Sequence, residues 1–129
     1  MIGSKDNKKR AILLVEDEKD IRLLYAEILT DAGYIVIQAV NGNEGKEKIQ
    51  NENWDVLLLD VILPEKDGMA ILKDLRDSEC LQKGPIILLT NLKSDHVPDE
   101  AYKLGATGYI VKSDITPDKI LNEVKRVLK

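Results

Sequence analysis

The sequence has little of what marks secreted, membrane-spanning or disulfide-bonded proteins. It has one cysteine, Cys80, which can form neither an internal disulfide nor a CxxC pair, in agreement with a reducing compartment. No apolar run approaches the roughly 18 residues of a membrane span, and the first ten residues lack the apolar core of a signal peptide. We therefore predict a cytoplasmic protein without a membrane segment.

An excess of positive charge is also missing. The chain has 19 basic and 23 acidic residues, for a net charge of -4, so it offers no basic surface to a nucleic acid. Its only histidine, His96, has no clustered ligand partner and is expected to be exposed to solvent. We therefore expect no direct binding of nucleic acid.

The chain does have the size and composition of one globular domain. Its 129 residues are 43% apolar and 33% charged, which fits a single folded unit and leaves no room for a second. We assign residues 1–10 to a flexible N-terminal tail and residues 11–129 to the domain.

Short apolar runs predict the strands, and amphipathic spacing predicts the helices between them. Five strands are predicted, at residues 11–15, 34–40, 56–59, 86–89 and 107–111. Five helices are predicted, at about residues 20–32, 43–52, 69–77, 98–104 and 117–128. The second strand is expected at a sheet edge because Gln38 would rarely be tolerated in a strand buried on both faces. This alternation predicts an α/β fold, a doubly wound five-stranded parallel sheet of order 2-1-3-4-5.

Reactive side chains follow four of the predicted strands. Glu16 and Asp17 come after the first, Asp60 ends the third, Thr90 ends the fourth and Lys112 ends the fifth. The carboxyl ends of parallel strands meet at one edge of the sheet, so we expect these side chains to converge. Close carboxylates repel unless a cation lies among them, and a few oxygen ligands are typical of a Mg²⁺ site that accepts phosphate. An aspartate there can be a nucleophile, while an ammonium and a hydroxyl stabilise a transferring phosphoryl group.

From residue 11 to residue 129 the chain resembles the receiver domain of two-component response regulators, including the stand-alone chemotaxis type. The resemblance implies the flavodoxin-like (βα)5 receiver fold. Its motifs are Glu16-Asp17, Asp60 followed by Pro64 and Asp67-Gly68, Thr90, and Gly108-Tyr109-Ile110-Val111-Lys112.

The resemblance implies a role for each acidic residue of the site. Asp60 would accept a phosphoryl group from a sensor histidine kinase, a histidine phosphotransfer protein or a small phosphodonor. Asp17 would bind Mg²⁺ directly, Glu16 would act mostly through water, and the main-chain carbonyl of Ile62 would complete the protein ligands. The domain would be a signalling receiver that catalyses its own phosphorylation and dephosphorylation, not an enzyme in the ordinary sense.

The resemblance also implies a switch. Lys112 would pair with the phosphoryl oxygens, Thr90 would follow the phosphate, and Tyr109 would rotate inward behind it. A downstream effector would read the surface formed by the fourth helix, the fifth strand and the fifth helix.

The sequence departs from the family pattern at three positions. Ser113 stands where proline with a cis peptide bond is usual, and a non-proline cis bond costs about 2.5 to 4 kcal/mol, so we predict a trans bond. Asn91 replaces a smaller residue beside the threonine, and Glu16 replaces the more frequent aspartate.

Three other protein classes remain as alternatives. A metal-dependent aspartyl-phosphate phosphatase would need a second acid at the position of Ile62. A flavin or nucleotide module would need a glycine-rich or hydroxyl-rich phosphate loop after the first strand, but this chain has Glu16-Asp17-Glu18 there, which would repel phosphate. A receiver-like domain that is never phosphorylated would have no reason to retain the whole acid, threonine and lysine set. Whether the domain acts alone or within a longer protein stays open.

Overall fold

The computed structural model describes residues 9–63, 68–77, 84–91, 99 and 102–128. The strands are β1 (Ala11–Val15), β2 (Ile35–Ala39), β3 (Val56–Asp60), β4 (Ile86–Thr90) and β5 (Gly108–Val111). The helices are α1 (Lys19–Asp31), α2 (Gly42–Asn51), α3 (Gly68–Asp77), a short 3-10 helix (Lys112–Asp114) and the C-terminal helix (Pro117–Leu128). The strands form one parallel sheet of order β2-β1-β3-β4-β5. The predicted fold class and strand order are therefore confirmed.

The central strands supply two core layers, one on each face of the sheet. Leu57 and Leu59 of β3 pack in one layer with Leu72 of α3, whereas Leu58 packs in the other with Leu29 of α1. This division follows from the period of two in a strand, where successive side chains point to opposite faces. Because helices cover both faces, β3 is buried along its whole length, and this is why its sequence is an unbroken apolar run.

The start of α2 is fixed by reciprocal capping bonds and a close helix–strand contact. The Asn41 side chain accepts a hydrogen bond from the Glu44 amide at 2.8 Å, and the Glu44 carboxylate accepts one from the Val40 amide at 2.9 Å. Gly45 disfavours a helix, but a Cβ atom at this position would lie only 2.7 Å from Cγ1 of Val15. The glycine therefore allows α2 to approach β1.

The other predicted helix signals are also found in the structure. Gly33, which follows α1, has a φ of +100°, a conformation that favours glycine. The Thr116 hydroxyl accepts a hydrogen bond from the Lys119 amide at 3.2 Å and caps the C-terminal helix, whose first residue is Pro117. Among the described residues, the observed ends of these strands and helices differ from the predicted ones by at most one residue.

Some predictions fall outside the described residues. These are the conformation of most of the tail, the surroundings of Cys80 and His96, and the turn at residues 64–67. Of the predicted helix at residues 98–104, residues 99, 102 and 103 are helical, and 98, 100 and 101 are not described. Within the described ranges, no helix has the length and apolar character to cross a membrane.

Candidate functional site

Three carboxylates meet at the carboxyl-terminal edge of the sheet. Oxygen atoms of Glu16, Asp17 and Asp60 all lie within 4.8 Å of one another. Parallel pairing sets Asp60 opposite Leu89, one residue before Thr90, so the ends of β1, β3 and β4 face the same edge. A cavity of about 130 Å³ opens there, and it is lined by Asp17, Glu18, Asp60, Val61, Ile62, Thr90, Asn91 and Lys112.

Lys112 joins two of these carboxylates. Its Nζ atom lies 2.7 Å from Oδ2 of Asp60, to which it donates a hydrogen bond, and 2.7 Å from Oε1 of Glu16. Burial alone would lower the pKa of the Lys112 ammonium, but the hydrogen bond to Asp60 and the negative charges of Asp60 and Glu16 outweigh it and raise that pKa. Lys112 is therefore held as a buried cation between two acids.

Glu16 is the most deeply buried acid of the cluster. Its Oε2 accepts a hydrogen bond from the Glu18 amide at 3.1 Å. Its buried Oε1 accepts no hydrogen bond of ordinary geometry from the described residues, although Lys112 Nζ lies 2.7 Å away. Burial raises the pKa of Glu16 to about 7, and Asp60 adds to this, while Lys112 and the Glu18 amide oppose it.

These three acids fit a hard metal cation. Three close carboxylates carry more negative charge than the one ammonium of Lys112 neutralises. Oxygen ligands of this kind are the ones that Mg²⁺ and Ca²⁺ prefer. The cluster of Glu16, Asp17 and Asp60 could therefore hold a metal ion.

Asp60 is fixed by the loop that follows β3. The Ile62 amide donates to Oδ1 of Asp60 at 3.2 Å, and the Gly68 amide donates to the Val61 carbonyl at 2.7 Å. A Cβ atom on Gly68 would collide with the main-chain carbonyl of Asp60. The start of α3 therefore lies directly against the residue that carries the central carboxylate, and Gly68 is required by this contact.

The two predicted switch residues have different surroundings. Thr90 is buried at the end of β4 and lines the cavity with Asp60 and Lys112. Tyr109 is 41% exposed and lies apart from this cavity, on a groove of about 470 Å³ between β5 and the C-terminal helix. The structure thus brings together Glu16, Asp17, Asp60, Ile62, Thr90 and Lys112, but not Tyr109. The peptide bond between Lys112 and Ser113 is trans, as predicted.

Sequence reasoning missed a polar pair behind the acidic residues. The Arg22 guanidinium of α1 donates from Nη1 to the Glu16 carbonyl at 3.1 Å and from Nε to the Gln38 side chain at 3.1 Å. In the sequence, Gln38 was used only to predict an edge strand. A polar residue within a mostly apolar strand also indicates a hydrogen-bond partner on a neighbouring element. Tyr25 of α1 is another residue near the site, because it is buried and lies within electrostatic reach of the acidic cluster. Burial raises the pKa of the Tyr25 phenol to about 12, and the surrounding acids add to this while Lys112 opposes it.

Curated relatives share the sequence over most of the chain. The transcriptional regulatory protein RstA of Escherichia coli (strain K12) is 41% identical over 110 residues, which cover 85% of this chain and 44% of RstA. The alkaline phosphatase synthesis transcriptional regulatory protein PhoP of Bacillus subtilis (strain 168) is 36% identical over 123 residues, 95% of this chain and 49% of PhoP. The chain therefore spans about half the length of these relatives.

Solved structures share the fold over nearly the whole chain. Chemotaxis protein CheY4 of Vibrio cholerae superposes with a TM-score of 0.86 at 34% identity, over 94% of this chain and 100% of CheY4. A CheY-like response regulator receiver domain protein of Methanospirillum hungatei JF-1 gives 0.85 at 29% identity, over 94% of both chains. The family model of the response regulator receiver domain matches residues 12–125. The chain belongs to this family, and it is a signalling module of two-component systems rather than a classical enzyme.

Proposed function

We propose that Asp60 is the residue of this receiver domain that accepts a phosphoryl group, in a Mg²⁺-dependent reaction. A carboxylate oxygen of Asp60 would form a bond to phosphorus while the bond between phosphorus and the donor breaks, which leaves an imidazole nitrogen on a phosphohistidine donor or a carboxylate oxygen on acetyl phosphate. The observation that carries the proposal is the position of Asp60, which borders the cavity together with Asp17, Thr90 and Lys112. A receiver domain implies a histidine kinase as donor, and a histidine phosphotransfer protein or a small phosphodonor would supply the same group.

Glu16, Asp17 and Asp60, with the main-chain carbonyl of Ile62, are the proposed holders of Mg²⁺. Bound there, the ion would neutralise charge on the phosphoryl oxygens during transfer. Asp17 would contact it directly and Glu16 mostly through water. Three close acids share one buried ammonium, and this supports a further cation in the cluster.

Lys112 would release its hydrogen bond to Asp60 and pair with the phosphoryl oxygens. Its Nζ already lies 2.7 Å from the acceptor carboxylate, so a phosphate on Asp60 would form within reach of the ammonium. Removal of the Lys112 ammonium should therefore slow the reaction more than removal of an exposed lysine.

Thr90 and Tyr109 are the proposed switch. Thr90 borders the cavity and would follow the phosphate, while Tyr109 would leave its exposed position and turn inward. An effector would then read the groove of β5 and the C-terminal helix, together with the helix predicted at residues 98–104. Phosphorylation or beryllofluoride should slow amide exchange around Tyr109, and unchanged exchange there would contradict the switch.

Acetyl phosphate tests the acceptor directly. With Mg²⁺ present, intact-mass measurement should find one added phosphoryl group on the wild-type protein and none on Asp60→Asn. The matched control is Asp55→Asn, because Asp55 lies near the other end of β3 and hydrogen-bonds the Ala11 amide there. A phosphoryl group that persists on Asp60→Asn, or that forms equally in EDTA, would overturn the proposal. Absence of the group from every variant would instead favour a receiver-like interaction domain that is not phosphorylated.

A further inference from the structure

We infer that Arg22 and Gln38 form a positioning pair for the Mg²⁺ ligands. The acidic loop, residues Glu16 to Glu18, carries two of those ligands on the segment between β1 and α1. Arg22 lies one helical turn into α1 and points back toward this loop, while Gln38 lies on β2. The inference rests on the proposed metal site and names a residue pair that would determine its geometry without contacting the metal.

Arg22 bonds the main chain of the acidic loop. Its Nη1 donates to the Glu16 carbonyl at 3.1 Å and makes a longer contact of 3.5 Å with the Asp17 carbonyl. The Glu16 amide, in turn, donates to the Ala39 carbonyl of β2 at 3.1 Å. The peptide groups on either side of Glu16 are therefore held by two different elements, and this limits how far its carboxylate can turn.

Gln38 fixes the guanidinium from the other side. Its side-chain oxygen accepts from Arg22 Nε at 3.1 Å, and its main-chain carbonyl accepts from Lys48 Nζ at 2.6 Å. A planar guanidinium held at Nε and at Nη1 has little rotational freedom, and a lysine ammonium cannot reproduce both bonds at the same angles. This arrangement also explains the polar residue in β2, since the Gln38 side chain is half-buried and hydrogen-bonded.

The positive charge of Arg22 and its positioning role predict opposite effects on Mg²⁺ binding. Arg22 is a cation close to a proposed cation site, so its charge alone should weaken Mg²⁺ binding. Removal of that charge would then tighten binding. Loss of positioning should instead weaken Mg²⁺ binding, because the free energy needed to order a loose acidic loop opposes binding. The two explanations of Arg22 therefore predict changes of opposite direction in the Mg²⁺ dissociation constant.

The test is calorimetric titration of Mg²⁺ into the wild-type protein and four variants. Arg22→Met should weaken Mg²⁺ binding by about 10-fold, in the range of residues that orient metal ligands. Arg22→Lys should remain weak although it keeps the charge. Gln38→Leu, which changes no charge, should weaken binding by a few fold. The control Lys19→Met removes one positive charge from the exposed start of α1 and should leave binding unchanged or slightly tighter. Unchanged or tighter binding in Arg22→Met, or full rescue by Arg22→Lys, would overturn the inference.

Amide exchange without metal separates this inference from the proposed function. The Glu16 and Glu18 amides should exchange faster in Arg22→Met than in the wild type, while the amides of β3 stay protected. A uniform rise throughout the sheet would mean that Arg22 only stabilises the fold, and unchanged exchange at Glu16 and Glu18 would contradict positioning. If the wild-type protein bound no Mg²⁺, the proposed function would fail, and the exchange result would still decide whether Arg22 orders the loop.

Discussion

The two ends of the sheet use polar side chains in opposite ways. Near the amino ends of the strands, three polar side chains are bonded to main-chain groups. The Asp55 carboxylate accepts from the Ala11 amide at 2.7 Å, the Thr107 hydroxyl accepts from the Ile86 amide at 3.1 Å, and the Trp54 indole donates to the Ile49 carbonyl at 3.0 Å. Such bonds satisfy backbone groups and stabilise the ends of the strands.

At the carboxyl ends, charged side chains face one another instead. Lys112 bridges Glu16 and Asp60, all three are buried, and one carboxylate oxygen of Glu16 has no ordinary hydrogen bond from the described residues. Desolvation of buried charges can cost as much free energy as their pairing gains, so a buried ion pair contributes little to the stability of a fold. The difference indicates that the amino ends serve structure and the carboxyl ends serve chemistry, and four substitutions can break or sharpen the contrast.

Removal of Lys112 should have the largest effect. Lys112→Met leaves Glu16 and Asp60 buried without their shared cation, so we expect the free energy of unfolding to fall by about 3 to 5 kcal/mol in EDTA. Mg²⁺ should recover part of the loss because it supplies positive charge to the same acids. Urea denaturation with and without Mg²⁺ measures both quantities.

The surface pair of Lys46 and Asp74 is the control for Lys112. Their atoms are 3.3 Å apart, but both side chains are more than a third exposed, and Lys46→Met should cost less than about 1 kcal/mol. Equal losses of unfolding free energy in Lys112→Met and Lys46→Met would show that burial does not increase the contribution of the ion pairs of Lys112 with Glu16 and Asp60.

Gly68→Ala should disturb the site through the backbone. The added methyl group would collide with the main-chain carbonyl of Asp60, and either α3 or the end of β3 must move. We expect a loss of about 2 kcal/mol in the free energy of unfolding and slower phosphorylation by acetyl phosphate. Gly33→Ala is the comparison, because Gly33 has a positive φ but open space around it. It should cost about 1 kcal/mol and leave the rate unchanged, and a slowed rate in both variants would contradict a local effect of Gly68.

Asp55→Ala should affect stability alone. It removes the acceptor of the Ala11 amide near the amino end of β3, and a buried hydrogen bond to a charged group contributes about 1.5 to 3 kcal/mol. Since Asp55 is partly exposed, we expect a loss near the lower end of that range. Acetyl phosphate should still modify this variant at the wild-type rate. A slower rate would show that the two ends of the strand are coupled.

The sequence predicted the fold well because apolar runs and helix signals depend on local chemistry. β3 reads as an apolar run because helices cover both faces, and Thr116-Pro117 and Gly33 mark helix ends by their own conformational preferences. The convergence of Glu16, Asp60, Thr90 and Lys112 at one edge followed from the direction of parallel strands.

Contacts between side chains from distant elements could not be predicted in the same way. The bonds of Arg22 to Gln38 and to the Glu16 carbonyl depend on how α1 lies across β1 and β2, which no local pattern encodes. The need for Gly45 is similar, because it arises from the distance between α2 and Val15. The raised pKa of Glu16 depends on its full burial beside Asp60 and Lys112, so only coordinates could identify it.

Glu16→Gln is the one substitution of the four that should stabilise the protein. Burial raises the pKa of Glu16 to about 7 in the folded protein from 4.5 in the unfolded chain, with Lys112 and Asp60 facing it. Between these values the folded state holds a proton that the unfolded state has lost, so this group's contribution to stability is present below pH 4.5 and is lost as the pH rises to about 7. Glutamine stays neutral, so in EDTA the variant should match the wild type near pH 4.5 and exceed it by about 3 kcal/mol at pH 8. The measurement is the difference in unfolding free energy across this range, in which the other titrating groups cancel. A difference that does not grow with pH would mean that Glu16 has an ordinary pKa in the folded protein and that Lys112 fully offsets the cost of its burial without metal. The carboxyl ends of the strands would then carry no destabilising charge, and the contrast between the two ends of the sheet would fail.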